Sequence, residues 1–144
     1  MAVGAGVFGF IGAAPAADRQ LVWSATSGPT NQSTDALNEG RHAHAVRFAK
    51  DVLRSKTSPA NHLIARHNLC LAYLAQGKAD DAKPFCDAVM ASQARYHIVE
   101  RDGRPVAVEM GAAEITDDQA QPTLEAALRA NVARVQATTL AESR

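Results

Sequence analysis

The strongest constraint on this chain is a helix signal that starts sharply, stops sharply and starts again. Ser58-Pro59 opens it. A serine hydroxyl can cap orphan amides, and proline at the first helical position loses no bond the helix needs. Leu63, Ala65, Leu69, Ala72 and Tyr73 then build an apolar face at helical spacing. Gln76-Gly77 ends it, since glycine tolerates the left-handed cap conformation. A second helix is expected from Ala79 to Gln93, with Ala82, Phe85, Cys86, Val89 and Met90 inward. Pro84 lacks the amide that would bond back to Asp80. That helix is therefore expected either to begin late, near Asp81, or to have a distorted first turn. Upstream, Ala43, Val46, Ala49, Val52 and Leu53 trace another helical face, ending near Ser55-Lys56. Composition agrees with close helix packing. Alanine supplies 30 of 144 residues and aromatics only 5%, a poor recipe for a β-sandwich.

The hairpin resembles a tetratricopeptide repeat, of the kind found in short exported bacterial proteins. Leu69, Cys70, Tyr73 and Ala82 stand in that pattern's Leu, Gly, Tyr and Ala slots, with Gly77 at the turn. Arg66 replaces its Trp and Cys86 its Phe. Leu37, Gly40, Ala45 and Ala49 match Leu74, Gly77, Ala82 and Cys86 at a shift of 37. The resemblance spans residues 35–93. It departs twice. Ser27-Gly28-Pro29 lies where the first repeat needs its first helix, and residues 101–105, Arg-Asp-Gly-Arg-Pro, break a third unit. A solenoid usually needs about three repeats to bury its faces. The C-terminal segment, the N-terminal arm or a second subunit is expected to cap this one.

In the repeat reading, Cys70 and Cys86 lie on facing helices at similar heights above the turn. A bridge is then possible, and it is expected because an exported protein meets an oxidising compartment; the alternative is two buried thiols that pack as small apolar residues. Without a C-x-x-C spacing, redox catalysis is not expected.

Residues 1–16 read as a signal peptide. Val3 to Ala14 are apolar, and Ala14-Pro15-Ala16 supplies a small-residue cleavage site, although nothing before Asp18 is basic. Residues 17–34 read as a linker or extended arm, with Leu21, Val22 and Trp23 expected to pack onto the domain as a short strand or staple, the alternative being an exposed anchor for a partner. Residues 94–144 read as a β-hairpin and a last helix. Tyr96–Arg101 and Arg104–Met110 alternate around Asp102-Gly103, a type I′ turn signal, with Val106, Val108 and Met110 on one face. The hairpin is expected to lie on a helix or pair with Leu21–Trp23. Thr116-Asp117-Asp118 and Pro122 signal a helix start. Leu124, Leu128, Val132 and Val135 give that capping helix its stripe, with Glu125 and Arg129 as a pair on its wet side.

The fold class is therefore mainly α: tetratricopeptide-like hairpins, a small β-hairpin and a C-terminal capping helix. The 15 basic and 15 acidic residues cancel, which argues against a bulk electrostatic grip on nucleic acid. No membrane span is expected after processing. His42, His44, His62, His67 and His97 form no ligand pattern and are expected to be solvated or partner-facing, so no metal or cofactor is expected. No catalytic constellation is present either. The resemblance implies an exported, periplasmic or secreted module for a protein or peptide partner, with no catalytic activity of its own. The partner face it implies is Ile64, His67, Asn68, Leu71 and Leu74. The alternatives are a self-assembling envelope protein, including a homodimer, and a small metal-binding protein.

Overall fold

The computed structural model describes residues 20–109 and 123–142. Among these residues it is mainly helical, with five helices and one small sheet. The expected signal peptide, Met110 and the Thr116-Asp117-Asp118 signal lie outside the described residues.

The chain enters as a short strand, β1 (Trp23–Ser24), and continues into α1 (Gly28–Asn38) and α2 (His42–Arg54). Then come α3 (Pro59–Ala75) and α4 (Ala79–Met90). The hairpin β2 (Tyr96–Arg101) and β3 (Arg104–Glu109) precedes α5 (Leu124–Glu142).

Helix α1 corrects the expectation that the first hairpin lacks its first helix. Ser27-Gly28-Pro29 is not a linker but a start: the Ser27 hydroxyl accepts from the Thr30 amide at 3.2 Å, with Pro29 in the first turn. Ser58 does the same for the Asn61 amide of α3 at 3.2 Å. The extended arm therefore ends at Ser27 rather than running to residue 34.

The two hairpins, α1–α2 and α3–α4, are built alike at the 37-residue shift. Each turns at a glycine with positive φ, +77° at Gly40 and +74° at Gly77, where a side chain would be strained. Ala45 and Ala82 are both fully buried, as are Val52 and Val89 to within 1% exposure. Such small residues let the paired helices approach closely. Consecutive helices pack on one another, α1 also packs on α3, and α5 packs on both α3 and α4. The Cys70–Cys86 disulfide ties α3 to α4, with Cα atoms 4.9 Å apart.

Helix α4 begins at Ala79 despite Pro84, not late at Asp81, and stops at Met90, short of Gln93. Asp80 and Pro84 are both exposed, so water can take the carbonyl that proline leaves unbonded.

The sheet order is β1-β3-β2. Asp102 and Gly103, at φ 52° and 78°, make the turn of the antiparallel hairpin. Trp23 and Ser24 pair in parallel with Val106 and Ala107. The arm thus joins the hairpin as a strand. Val106 and Ala107 are both buried, so the hairpin is covered on two sides rather than showing a single apolar face. Helix α5 starts at Leu124 and buries Leu124, Leu128 and Val132, with Val135 partly covered. Glu125 is not on its wet side but buried, and Arg129 donates to the Ser92 carbonyl instead of pairing with it.

Candidate functional site: a groove that holds the amino-terminal arm

Five residues of extended chain, Gln20 to Ser24, run across the faces of α1, α3 and α5. Leu21 and Val22 are 5% and 1% exposed, sunk among the helices. The backbone between them is held by side chains at every second residue. The Asn131 amide on α5 takes Gln20 at both ends: Gln20 N–H donates to Oδ1 at 3.1 Å, and Nδ2 donates to the Gln20 carbonyl at 3.0 Å. The Thr34 hydroxyl on α1 donates to the Val22 carbonyl at 3.0 Å. The Asn31 amide on α1 takes Ser24 at both ends, accepting its N–H at 2.6 Å and donating to its carbonyl at 3.0 Å. In extended chain the backbone N–H and C=O groups of alternate residues point to the same edge. The main-chain groups of positions 20, 22 and 24 meet their clamps in that register.

Behind the arm lies a buried polar chain. Asn68 on α3 donates through Nδ2 to Ser33 Oγ at 2.8 Å and Thr34 Oγ1 at 3.0 Å. Its Oδ1 lies 2.9 Å from His67 Nδ1, and His67 Nε2 lies 3.2 Å from Asn131 Nδ2. One proton assignment satisfies every link. His67 Nδ1–H donates to Asn68 Oδ1, and Nε2 accepts from Asn131 Nδ2. Ser33 passes its own proton to the Thr30 carbonyl at 2.7 Å. Buried polar groups are costly unless bonded, so this chain locks α1, α3 and α5 into one register.

Trp23 is half-buried at the outer end. Its indole N–H donates to Asp35 Oδ1 at 2.8 Å, and the Arg104 guanidinium sits 5.1 Å from its ring centroid. Arg104 also approaches Asp35 at 3.7 Å. Two clefts, of about 340 and 310 Å³, flank the point where Ser24-Ala25 leaves the sheet.

The residues expected to form a partner face are brought together, but inside the chain. Ile64 and His67 are fully buried, Asn68 is 1% and Leu71 2% exposed, and Leu74 is partly covered. Helices α1 and α5 lie against that face, with Asn68 bonded to Ser33 and Thr34 and His67 to Asn131. His67 and His97 are correspondingly buried, not solvated as expected. His62 bonds the Ser55 carbonyl at 3.0 Å, closing α3 onto the end of α2. The described residues contain no cluster of three or more metal-ligating side chains, and no described helix is long and apolar enough to cross a membrane.

Sequence reading missed Asn31, Thr34 and Asn131. The signal was there in the repeat: Asn31 lies 37 residues before Asn68. Asn131, beside Val132, was a polar residue on an otherwise apolar stripe.

The chain matches no family model, no curated protein and no solved structure.

Proposed function

We propose that this protein is an exported interaction module of tetratricopeptide type, with no catalytic activity of its own, whose helical face holds an extended peptide. The single observation that carries the reading is the seated arm. From α1 and α5, amide and hydroxyl side chains grip main-chain groups at Gln20, Val22 and Ser24. A face that binds main chain can hold extended segments of many sequences. The repeat supports the family assignment: two hairpins with glycine turns and alanine crossings at one shift, followed by a helix on the last pair.

Export is supported by the disulfide, because bridges persist in oxidising compartments. That and the apolar leader support periplasmic or secreted placement. Intact mass of the protein from its native cells, alkylated before and after reduction, tests it. The expected result is a mass starting at Ala17, with thiols appearing only on reduction.

Photo-crosslinking tests the interaction. A photoreactive residue at exposed Ala25, beside the arm, is expected to trap one discrete protein. The same residue at Lys50 on α2 is the control. Adducts only between copies of this chain would instead support the self-assembling reading, and adducts equal at both positions would remove a defined face.

A further inference from the structure

Residues 20–24 behave as a ligand that happens to be covalently attached. Their backbone is read at alternate residues, their two aliphatic side chains are buried, and their sheet pairing is two residues long. We propose that the arm is an exchangeable occupant: the groove bordered by α1, α3, α5 and β3 takes an extended segment of a partner protein in its place. The segment that fits has two adjacent aliphatic residues, then an aromatic and a small polar one, as Leu21, Val22, Trp23 and Ser24 do. This rests on the interaction-module reading and adds its regulation, with the arm as a built-in competitor.

Four features carry it. First, the Asn131, Thr34 and Asn31 contacts are to main-chain groups, so an incoming strand makes them without matching the arm's sequence. Second, β1 is the edge strand next to β3, and a new strand would pair there as β1 does. Third, the arm leaves the helices beside open space. Clefts of about 340 and 310 Å³ lie on both sides of Ser24-Ala25, and Ala25 and Thr26 are exposed. Fourth, α1 carries its own cap, Ser27, whose hydroxyl takes the Thr30 amide. Displacing the arm also gives up the Ser24 Oγ bonds to the Thr26 and Ser27 amides.

A tethered occupant competes at an effective concentration of about millimolar. Partner binding is therefore weaker than the groove's intrinsic affinity until the arm is loosened. Leu21→Ala loosens it from the arm's side while leaving every groove residue in place. Loss of a buried leucine weakens the arm enough to raise apparent affinity for a competing peptide about tenfold or more.

Trp23 is the chain's sole tryptophan and reports the arm directly. The probe is a synthetic peptide of residues 17–26 carrying Phe in place of Trp, added to the full chain. The expected result is a saturable red shift of Trp23 emission with unchanged far-UV helicity. A scrambled peptide gives none, and saturation comes at about tenfold lower peptide in Leu21→Ala. No shift at millimolar peptide in the wild-type chain overturns the proposal, whether or not the variant folds. So does a shift that accompanies loss of helicity. A dimer of the unliganded chain that the peptide splits into monomers would make the occupant a second copy and overturn the partner assignment. If the shift is absent while Ala25 still traps a discrete protein, only the exchange fails, and the interaction reading stands.

Discussion

The two helical hairpins share a plan but are held together by different chemistry. In the second, Cys70 on α3 is bridged to Cys86 on α4. At the same repeat positions of the first stand Ser33 and Ala49, both fully buried. Ser33 spends its hydroxyl on Asn68 and the Thr30 carbonyl, joining the polar chain that reaches the arm. The inner face of α3 is rich in Ile64, Leu69 and Leu71, whereas that of α1 buries Thr30, Ser33 and Thr34. The second hairpin carries a covalent crosslink. The first packs on buried Ala36, Leu37, Ala45, Ala49 and Val52, and its first helix is bonded to an extended segment that comes from outside the repeat. A short array can thus be stabilised at one end by a crosslink while the other end keeps a face suited to gripping main chain.

Breaking the crosslink should have the largest effect. Replacing Cys70 and Cys86 by Ala reopens a loop of sequence separation 16. It should cost about 3 kcal/mol, or roughly 10 °C in melting temperature. Thermal melts under oxidising conditions would show this, and reductant should lower the wild-type melt by a similar amount while leaving the variant unchanged.

Next comes the arm. Asn131→Ala removes both bonds to Gln20 and the donor to buried His67 Nε2, and should cost about 2 kcal/mol by urea denaturation. It should also red-shift Trp23 emission before the global transition, which the cysteine variant should not do.

The comparison can be sharpened by making the first hairpin like the second. Ser33→Cys with Ala49→Cys should form a second bridge, visible as two disulfides by mass. The net gain should be about 1–2 kcal/mol, smaller than the loss in the first experiment because the Ser33–Asn68 bond is given up. The smallest effects are at the caps. Ser27→Ala and Ser58→Ala should each cost about 1 kcal/mol, and by similar amounts, because the two serines do the same work in the two hairpins.

Much of this architecture could be read before the structure. Helices α2, α3 and α4 and the Asp102-Gly103 turn follow from local signals, namely caps, glycine stops and apolar spacing, and the cysteine pairing from the repeat reading and the expected export. Helix α1 was missed although it carries the same serine–proline start as α3. Its inner face is hydroxyl-rich, so apolar periodicity gave no warning of a buried helix. The groove was legible only in part. Ile64, His67, Asn68, Leu71 and Leu74 were expected to be an open partner face, but nothing local says that α1 and α5 lie against it or that residues 20–24 pack beyond them. The clamps from Asn131 to Gln20 join positions 111 apart in sequence. Glu125 misled for a related reason: an i,i+4 charge pair suggests a wet face, yet the helix is rotated so that Glu125 is covered.

The two hairpins are thus secured separately, the second by its bridge and the first through the arm. Native-state hydrogen exchange by mass spectrometry tests this most directly, on the oxidised protein, the reduced protein and Asn131→Ala. Reduction should deprotect α3 and α4 while α1 keeps its protection. Asn131→Ala should deprotect residues 20–24 and α1 while α4 keeps its own. Equal loss across both hairpins in both cases would contradict the claim and make the molecule a single cooperative unit with the arm as ordinary packing.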